Sequence, residues 1–486
     1  MENGFINELR GHTRGTTCMT DVVFCIVPKI EPESPTTGPA VLKQVCENNG
    51  YTARVLDLNI DLFDYLRKQN KHWDLFHEND DLFMREWNKS NPVWDQFVEE
   101  NTEIFHNWIE KFQELKPRYI GLSLLSQYSR SCAITIAQYI RQYMPDVKII
   151  WGGATLDNYT IQNLVDTGFC DHYVIGDGEY ALLKILDGSE QNMIHQVMDM
   201  DTIPFPNYDD IDWNRYPTPT HRQVAYVTAS RGCVKSCTFC NVRDIWPRYT
   251  NRSGKHVADE IKYLKERYNI EHVKFTDSLI NGNMKAYREL VNVLVEYDLN
   301  INWSSQWIVR SETSTLDSDF ALAKRSGCID LEIGIEHFKE SIRYHMGKKH
   351  TDSAMWNTFN LMKKYRITSS ILMIVGYPTE TLEDHNYQIA VLRQLYDEGY
   401  VFDNTGKRLM FISATPMLLD GEIYDMVEDD LAYYNNARDW AYGDNITKER
   451  IRRYQEFNDV IKEKEAQKSW NWLHTKELRT YENDKV

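Results

Sequence analysis

Three of the nine cysteines in this 486-residue chain fall within eight residues, in the run Arg231-Gly232-Cys233-Val234-Lys235-Ser236-Cys237-Thr238-Phe239-Cys240. The spacing is C-x3-C-x2-C, which chance would give in only about 0.003 of chains of this length and cysteine content. Thiolates are soft donors, so three on one short loop suit zinc or an iron–sulfur cluster. A structural zinc site closes its tetrahedron with a fourth Cys or His. No His lies in the loop, and the nearest, His221, precedes the strand before it. Three thiolates on a four-iron cluster instead leave one iron open, as a reaction requires. The remaining cysteines (Cys18, Cys25, Cys46, Cys132, Cys170 and Cys328) are scattered and do not read as a disulfide framework. Cys328 reads as a small buried residue rather than a fourth ligand.

The elements around the cluster follow a regular alternation. From residue 223 the sequence runs VAYVTAS, a helix, HVKFTDS, a helix, INWSSQW, a helix, DLEIGIE, a helix and SSILMIVGY, and the remainder from about residue 408 starts with a strand-like LMFISA. Six strand–helix units in series predict a partial (β/α)6 TIM-like barrel over residues 223–407, and the cysteines occupy the loop after its first strand. Loops at the carboxyl ends of barrel strands carry the chemistry. Residues 1–200 show their own alternation: strands at DVVFCIV, TARVLDL, YIGLSLL, VKIIWGG and near Tyr173, with helices between. That pattern predicts a parallel, doubly wound, Rossmann-like sheet. An insertion over residues 61–116 carries Phe63, Tyr65, Trp73, Phe76, Phe83, Trp87, Trp94, Phe97, Phe105, Trp108 and Phe112 among acidic residues. It reads as amphipathic helices packed on the sheet, or else as a lid beside a ligand. A Pro- and Asp-rich linker follows over residues 201–222, and residues 408–486 read as a mainly helical C-terminal region.

Composition narrows the class. Hydrophobic residues at 42% and 29 Tyr, 18 Phe and 13 Trp describe a folded chain, not a disordered one. No apolar run approaches the ~18 residues of a membrane span, and the first residues carry no signal-peptide core, so a cytoplasmic location is expected. The net charge of −17 disfavours nucleic acid as a partner, because phosphate backbones require a basic surface. A small-molecule or peptide substrate remains.

The cluster, with an aromatic before its last Cys, resembles the signature of radical S-adenosylmethionine (SAM) enzymes. The resemblance implies that Cys233, Cys237 and Cys240 bind a [4Fe–4S] cluster whose open iron chelates SAM. Reductive cleavage of SAM then gives a 5′-deoxyadenosyl radical that abstracts a substrate hydrogen, with an electron donor such as flavodoxin or ferredoxin. Further motifs are similar. VKFTDSLI resembles the family's F-x-D-D stretch, with Asp277 kept and Ser278 replacing the second Asp. Arg310 ends WIVR, where related enzymes place an Arg near the cofactor carboxylate. GCIDLEIGIEH resembles G-C-x-x-x-x-x-G-I-E-S, implying that Glu336 meets the ribose or amino group of SAM; His337 replaces the usual Ser. MIVGYPTET resembles x-x-x-G-x-P-x-E-T, which places Ile374 and Gly376 near the adenine, with Phe239 close by. Each position also has a plainer reading. Asp277 would cap a segment, Arg310 and Glu336 would pair with each other, Gly376-Tyr377-Pro378 would be a turn, and Phe239 would be packing.

Residues 1–200 are similar to the cobalamin-binding domain that precedes the barrel in a large subgroup of these enzymes. Carried over, Ser123 and Ser126 of IGLSLLS, Gly152 and Gly153 of WGGA and Gly176 of VIGDGE become candidate cobalamin-binding residues at the carboxyl edge of the sheet. The D-x-H-x-x-G motif whose His ligates cobalt in cobalamin mutases is absent, so the alternative is a Rossmann-like domain that has lost its cofactor. The resulting expectation is cobalamin-dependent C-methylation. The alternatives are radical cyclisation, rearrangement or sulfur insertion without methyl transfer, or a non-catalytic iron–sulfur or zinc module. A second N-terminal three-cysteine cluster, as in the tRNA methylthiotransferases, is missing.

Overall fold

The computed structural model describes residues 20–71, 91–156, 158–190, 192–217, 223–240, 242–400, 402–409, 427–428, 440–441 and 447–478. The chain divides into two compact units, Met1–Ala225 and Tyr226–Val486. Cys18, Trp73, Phe76, Phe83, Trp87 and His221 lie outside the described residues.

The first unit is built on six strands: β1 (Thr20–Ile26), β2 (Ala53–Asp57), β3 (Pro117–Ser123), β4 (Lys148–Gly152), β5 (His172–Gly176) and β6 (Asn192–His195). They form one parallel sheet in the order β2-β1-β3-β4-β5-β6. The helices are α1 (Thr37–Asn48), α2 (Leu58–Lys68), α3 (Pro92–Glu100), α4 (Thr102–Leu115), α5 (Arg130–Tyr143), α6 (Asn158–Asp166) and α7 (Gly178–Leu186). Strand β1 reads as an unbroken apolar run because both of its faces are covered. Val23 and Cys25 join one core, while Val22, Phe24 and Ile26 join the other. Within the insertion, α3 and α4 put Trp94, Phe105, Trp108 and Phe112 into the first of these cores, and Trp94 Nε1 donates to Thr135 Oγ1 of α5 at 2.9 Å. These aromatics therefore pack on the sheet. Strand β6 is the one the sequence pattern did not mark. It is four residues long at the sheet edge, with Ile194 73% exposed, so it carries no apolar periodicity.

The order places a switch point between β1 and β3, whose following loops leave in opposite directions. Doubly wound sheets bind ligands in the crevice at that point.

The division falls within β7 (Val224–Val227), and the second unit goes on with β8 (Ser230–Arg231), β9 (Thr250–Asn251), β10 (His272–Phe275), β11 (Asn302–Trp307), β12 (Cys328–Glu336), β13 (Thr368–Val375) and β14 (Phe402–Leu409). Its helices are α8 (Gly254–Tyr268), α9 (Met284–Tyr297), α10 (Asp317–Arg325), α11 (Glu340–His345), α12 (Asp352–Tyr365), α13 (Leu382–Asp397) and α14 (Thr447–Leu478). The main sheet has the order β14-β13-β12-β11-β10-β7, the partial (β/α)6 barrel, with β10 to β14 parallel. One strand face is fully buried, with Val273, Trp303, Trp307, Leu331, Ile333 and Ile371 at 0–1% exposure. The alternate positions carry Lys274, Ser304, Gln306, Asp330, Glu332 and Ser370, all only half-buried. A closed TIM barrel fills its interior with branched apolar side chains; this sheet keeps a polar inner face instead.

The sixth strand of the sheet begins ahead of the strand-like LMFISA. It is FDNTGKRL, in register with β13 (Ile374 opposite Arg408, Val375 opposite Leu409), and of LMFISA only Leu409 is among the described residues. Residues 410–414 lie outside the described part. An edge strand gains its partner from β13 rather than from its own apolar content, which the pattern could not signal. Phe457, Val460 and Ile461 bury one side of α14, the helix that follows this strand. No helix among the described residues is long and apolar enough to cross a membrane.

Candidate functional site

The cysteine loop leaves β7 through β8, which pairs antiparallel with β9. Its root is pinned by Asp277, two residues beyond β10 and 1% exposed. The Asp277 carboxylate accepts from the Ala229 N–H at 2.9 Å and the Ser230 hydroxyl at 2.5 Å. Burial pushes its pKa up to about 7, against the pull of those hydrogen bonds. Asp277 is thus a staple between the second and first barrel strands rather than a cap on the segment after it.

The three cysteines are half-buried on one loop. The Lys235 N–H points to Cys233 Sγ at 3.4 Å, and the Cys240 N–H donates to the Cys237 carbonyl at 3.2 Å. Two contacts fix the loop to other elements. The Thr238 N–H donates to the Met346 carbonyl after α11 at 3.1 Å, and the Thr238 hydroxyl meets the Tyr377 hydroxyl after β13 at 3.1 Å. Burial pushes the Cys237 thiol up to about 11, opposed by the Lys348 cation and reinforced by Cys240, Glu336 and Cys233. Burial likewise raises Cys240. The three thiols, Glu336 and Lys348 therefore lie within one another's electrostatic field. Among the described residues no three Cys, His, Asp or Glu side chains converge as they would round a single ion. Three clustered, half-exposed thiols beside a buried cation fit a cluster whose irons each take a separate thiolate.

Glu336 ends β12 with φ +66° and is nearly buried; its carboxylate pairs with Lys348 Nζ at 2.8 Å. Arg310 does not pair with it. The Arg310 guanidinium donates instead to the carbonyls of Asn281 and Gly282, at 2.9 and 2.5 Å, closing the loop after β10. Phe239 is half-buried, 5.9 Å from Lys348 Nζ. Ile374 and Gly376 sit at the end of β13. Gly376 has φ +82°, a conformation that favours glycine, and a Cβ there would lie 2.6 Å from Arg450 Cδ of α14.

Sequence reasoning missed Lys348, and it missed a buried charge cluster beside Gly376. Glu380 accepts from the Gly376 N–H at 2.9 Å and pairs with Arg453 of α14 at 3.3 Å. His337 Nε2 stands 3.6 Å from one carboxylate oxygen of Glu380 and His385 Nδ1 3.7 Å from the other. His337, where the family pattern has Ser, thus belongs to this cluster. No local signal marks such a residue, since Glu380 is 43 positions distant.

In the first unit, Ser123 and Gly152 are register partners at the ends of β3 and β4, and Ser126 Oγ accepts from the Tyr128 N–H at 3.2 Å. A Cβ on Gly153 would fall 2.3 Å from the Leu124 carbonyl oxygen, and on Gly176 2.3 Å from that of His195. The chain's own backbone therefore accounts for both glycines. Gly152 is different, because its Cβ would meet nothing closer than the Val174 oxygen at 3.8 Å.

A barrel sheet with three cysteines on the loop after its first strand defines a class. Residues 227–387 match the Radical SAM superfamily, whose members use a [4Fe–4S] cluster and SAM. It is 24% identical over 311 residues to an anaerobic magnesium-protoporphyrin IX monomethyl ester cyclase from Rubrivivax gelatinosus, covering 58% of this chain and 55% of that protein. The chain thus spans about half the length of such curated relatives. Its fold is similar to that of the radical SAM methyltransferase TsrM from Kitasatospora setae, solved with cobalamin and a [4Fe–4S] cluster. The TM-score is 0.62 at 16% identity, over 86% of this chain and 82% of that one. It is also similar to the cobalamin-dependent SAM radical enzyme OxsB, solved with aqua-cobalamin. There the TM-score is 0.58 at 14% identity, over 84% of this chain and 56% of that one.

Proposed function

We propose that this radical SAM enzyme is a cobalamin-dependent C-methyltransferase acting on a small polar molecule. The observation that carries the reading is the pairing, in one chain, of a six-stranded sheet with a β1/β3 switch point and a partial barrel bearing C-x3-C-x2-C. That combination is the fold shared with the cobalamin-bound TsrM. In this reading Cys233, Cys237 and Cys240 hold the cluster. Glu336, Phe239, Ile374 and Gly376 line the SAM side, and Asp277 and Arg310 hold the loops that frame it. Ser123, Ser126, Gly152, Gly153 and Gly176 edge the cobalamin side, with Gly152 the position most open to a ligand. When bound, the cluster and SAM supply a hydrogen-abstracting radical, and cobalamin supplies a transferable methyl group. The protein's part is to bind, orient and exclude water.

The half-buried polar row Lys274, Ser304, Gln306, Asp330, Glu332 and Ser370 favours a hydrogen-bonding substrate over a lipid. A flavodoxin- or ferredoxin-type donor and a cytoplasmic setting complete the proposal.

Anaerobically reconstituted protein is expected to bind hydroxocobalamin, to form 5′-deoxyadenosine from SAM and reductant, and to add one methylene mass to its substrate. Failure to bind hydroxocobalamin removes the cobalamin reading. Similarity to the cyclase favours a second reading, radical chemistry without methyl transfer. A product without the added methylene would decide for it.

A further inference from the structure

Lys348 lies on the segment that docks the cysteine loop. Its ammonium donates to the Gly334 carbonyl at 3.0 Å and pairs with Glu336 Oε1 at 2.8 Å, the two side chains only 13% and 9% exposed. The preceding residues touch the loop itself. The Met346 carbonyl accepts from the Thr238 N–H at 3.1 Å. Gly347 has φ +79°, and a Cβ there would lie 2.9 Å from the Ser236 carbonyl oxygen and 3.4 Å from Cys237 Cα. The contact is therefore backbone against backbone, with no room for a side chain. On the other side, Glu336 holds a left-handed conformation at a register shift in β12 (Gly334 opposite Leu372, Glu336 opposite Met373). A non-glycine residue adopts that conformation only where its surroundings enforce it. The carboxylate lies back over its own strand beside Lys348: a Cβ on Gly334 would fall 2.5 Å from both Glu336 Oε1 and Lys348 Nζ.

We propose that Lys348 is a positioning residue: it fixes the Glu336 carboxylate at the end of β12 and, through the same segment, sets both the placement and the positive field of the cysteine loop. This rests on the reading that the loop holds the cluster and that Glu336 faces SAM. Lys348 acts through its neighbours. Removing it lets Glu336 turn away and leaves the thiolate loop without its buried counter-charge.

The test uses the reconstituted full-length chain as wild type, K348M, K348R, E336Q and K348M/E336Q. Iron per chain, the cluster's midpoint potential without SAM, and the SAM dissociation constant are measured. K348M is expected to weaken SAM binding by roughly tenfold or more and to move the potential to more negative values. K348R is expected to stay near wild type in both. If Lys348 acts through Glu336, K348M/E336Q binds SAM no more weakly than E336Q alone. The proposal is overturned if K348M matches wild type in SAM affinity and potential. It is also overturned if K348M costs the same factor of SAM affinity with E336Q as with the wild-type carboxylate. If K348M loses its iron, the potential and affinity of K348R decide: a potential shifted as far as an uncharged side chain would shift it also overturns the proposal. A wild-type chain with no cluster dependent on the three cysteines would instead strike at the functional reading, so the two failures are distinct.

Discussion

Replacing Asp277 by Asn isolates the cost of a buried carboxylate at the root of the cysteine loop. Asp277 is 1% exposed and its pKa is pushed up to about 7 by burial, above the ordinary 3.8. Between those two values the folded chain keeps a proton that the unfolded chain has lost, so stability falls as pH rises. The contribution is fully present below pH 3.8 and is lost through pH 7. Between pH 5 and pH 8 the wild type should lose ~3 kcal/mol from this group alone. Asn removes that dependence without stranding a polar atom. Its Oδ1 accepts the Ala229 N–H, its Nδ2 donates to Ser230 Oγ, and the Ser230 hydroxyl turns to the Leu279 carbonyl, already 3.3 Å away. Thermal unfolding of the metal-free full chain, followed by near-ultraviolet circular dichroism at pH 5, 6.5 and 8, reads the difference. At about 2–4 °C per kcal/mol, the variant's midpoint should gain roughly 6–12 °C on the wild type between pH 5 and pH 8. Parallel pH profiles, or a variant that is less stable at pH 8, would refute the reasoning.

Four further outcomes are expected. Gly153→Ala, with its Cβ forced to 2.3 Å from the Leu124 oxygen, should destabilise the first unit by about 3 kcal/mol or more in urea unfolding. Gly152→Ala should fold normally and lose hydroxocobalamin affinity, and unchanged affinity would remove Gly152 from the ligand edge. Arg453→Met should cost about 3–5 kcal/mol at pH 8, because it leaves the Glu380 carboxylate buried without its cation. Burial lowers the His385 pKa and Arg453 lowers it further, so removing Arg453 lets His385 protonate more readily and the loss should shrink at pH 6. Because burial raises the Cys237 and Cys240 thiols, iron incorporation should release protons and quicken between pH 7 and pH 8.5. A rate independent of pH would contradict that ordering.

The chemistry was legible because it is local. Three thiols at fixed spacing on one loop need no tertiary information to be recognised as a metal-binding set, and the loop follows a strand readable from its apolar run. The alternation of strands and helices likewise encodes both sheets, since a strand buried on both faces, such as β1, must be apolar along its length. Local pattern stops where a residue's role is set by a distant partner. Strand β14 is polar and gains its place from β13, and β6 is short and exposed at an edge. Asp277 is in the sequence as a family-like acid, but only the fold shows it reaching back 47 residues to Ser230. Gly376 has Arg450 against its Cβ side, and Glu336 has Lys348 beside it instead of Arg310, both set by residues distant in sequence. The sequence by itself determined which atoms can bind metal and which strand end presents them. The tertiary structure decided which buried charges meet, because that depends on contacts closed across tens of residues, where periodicity and spacing carry no information.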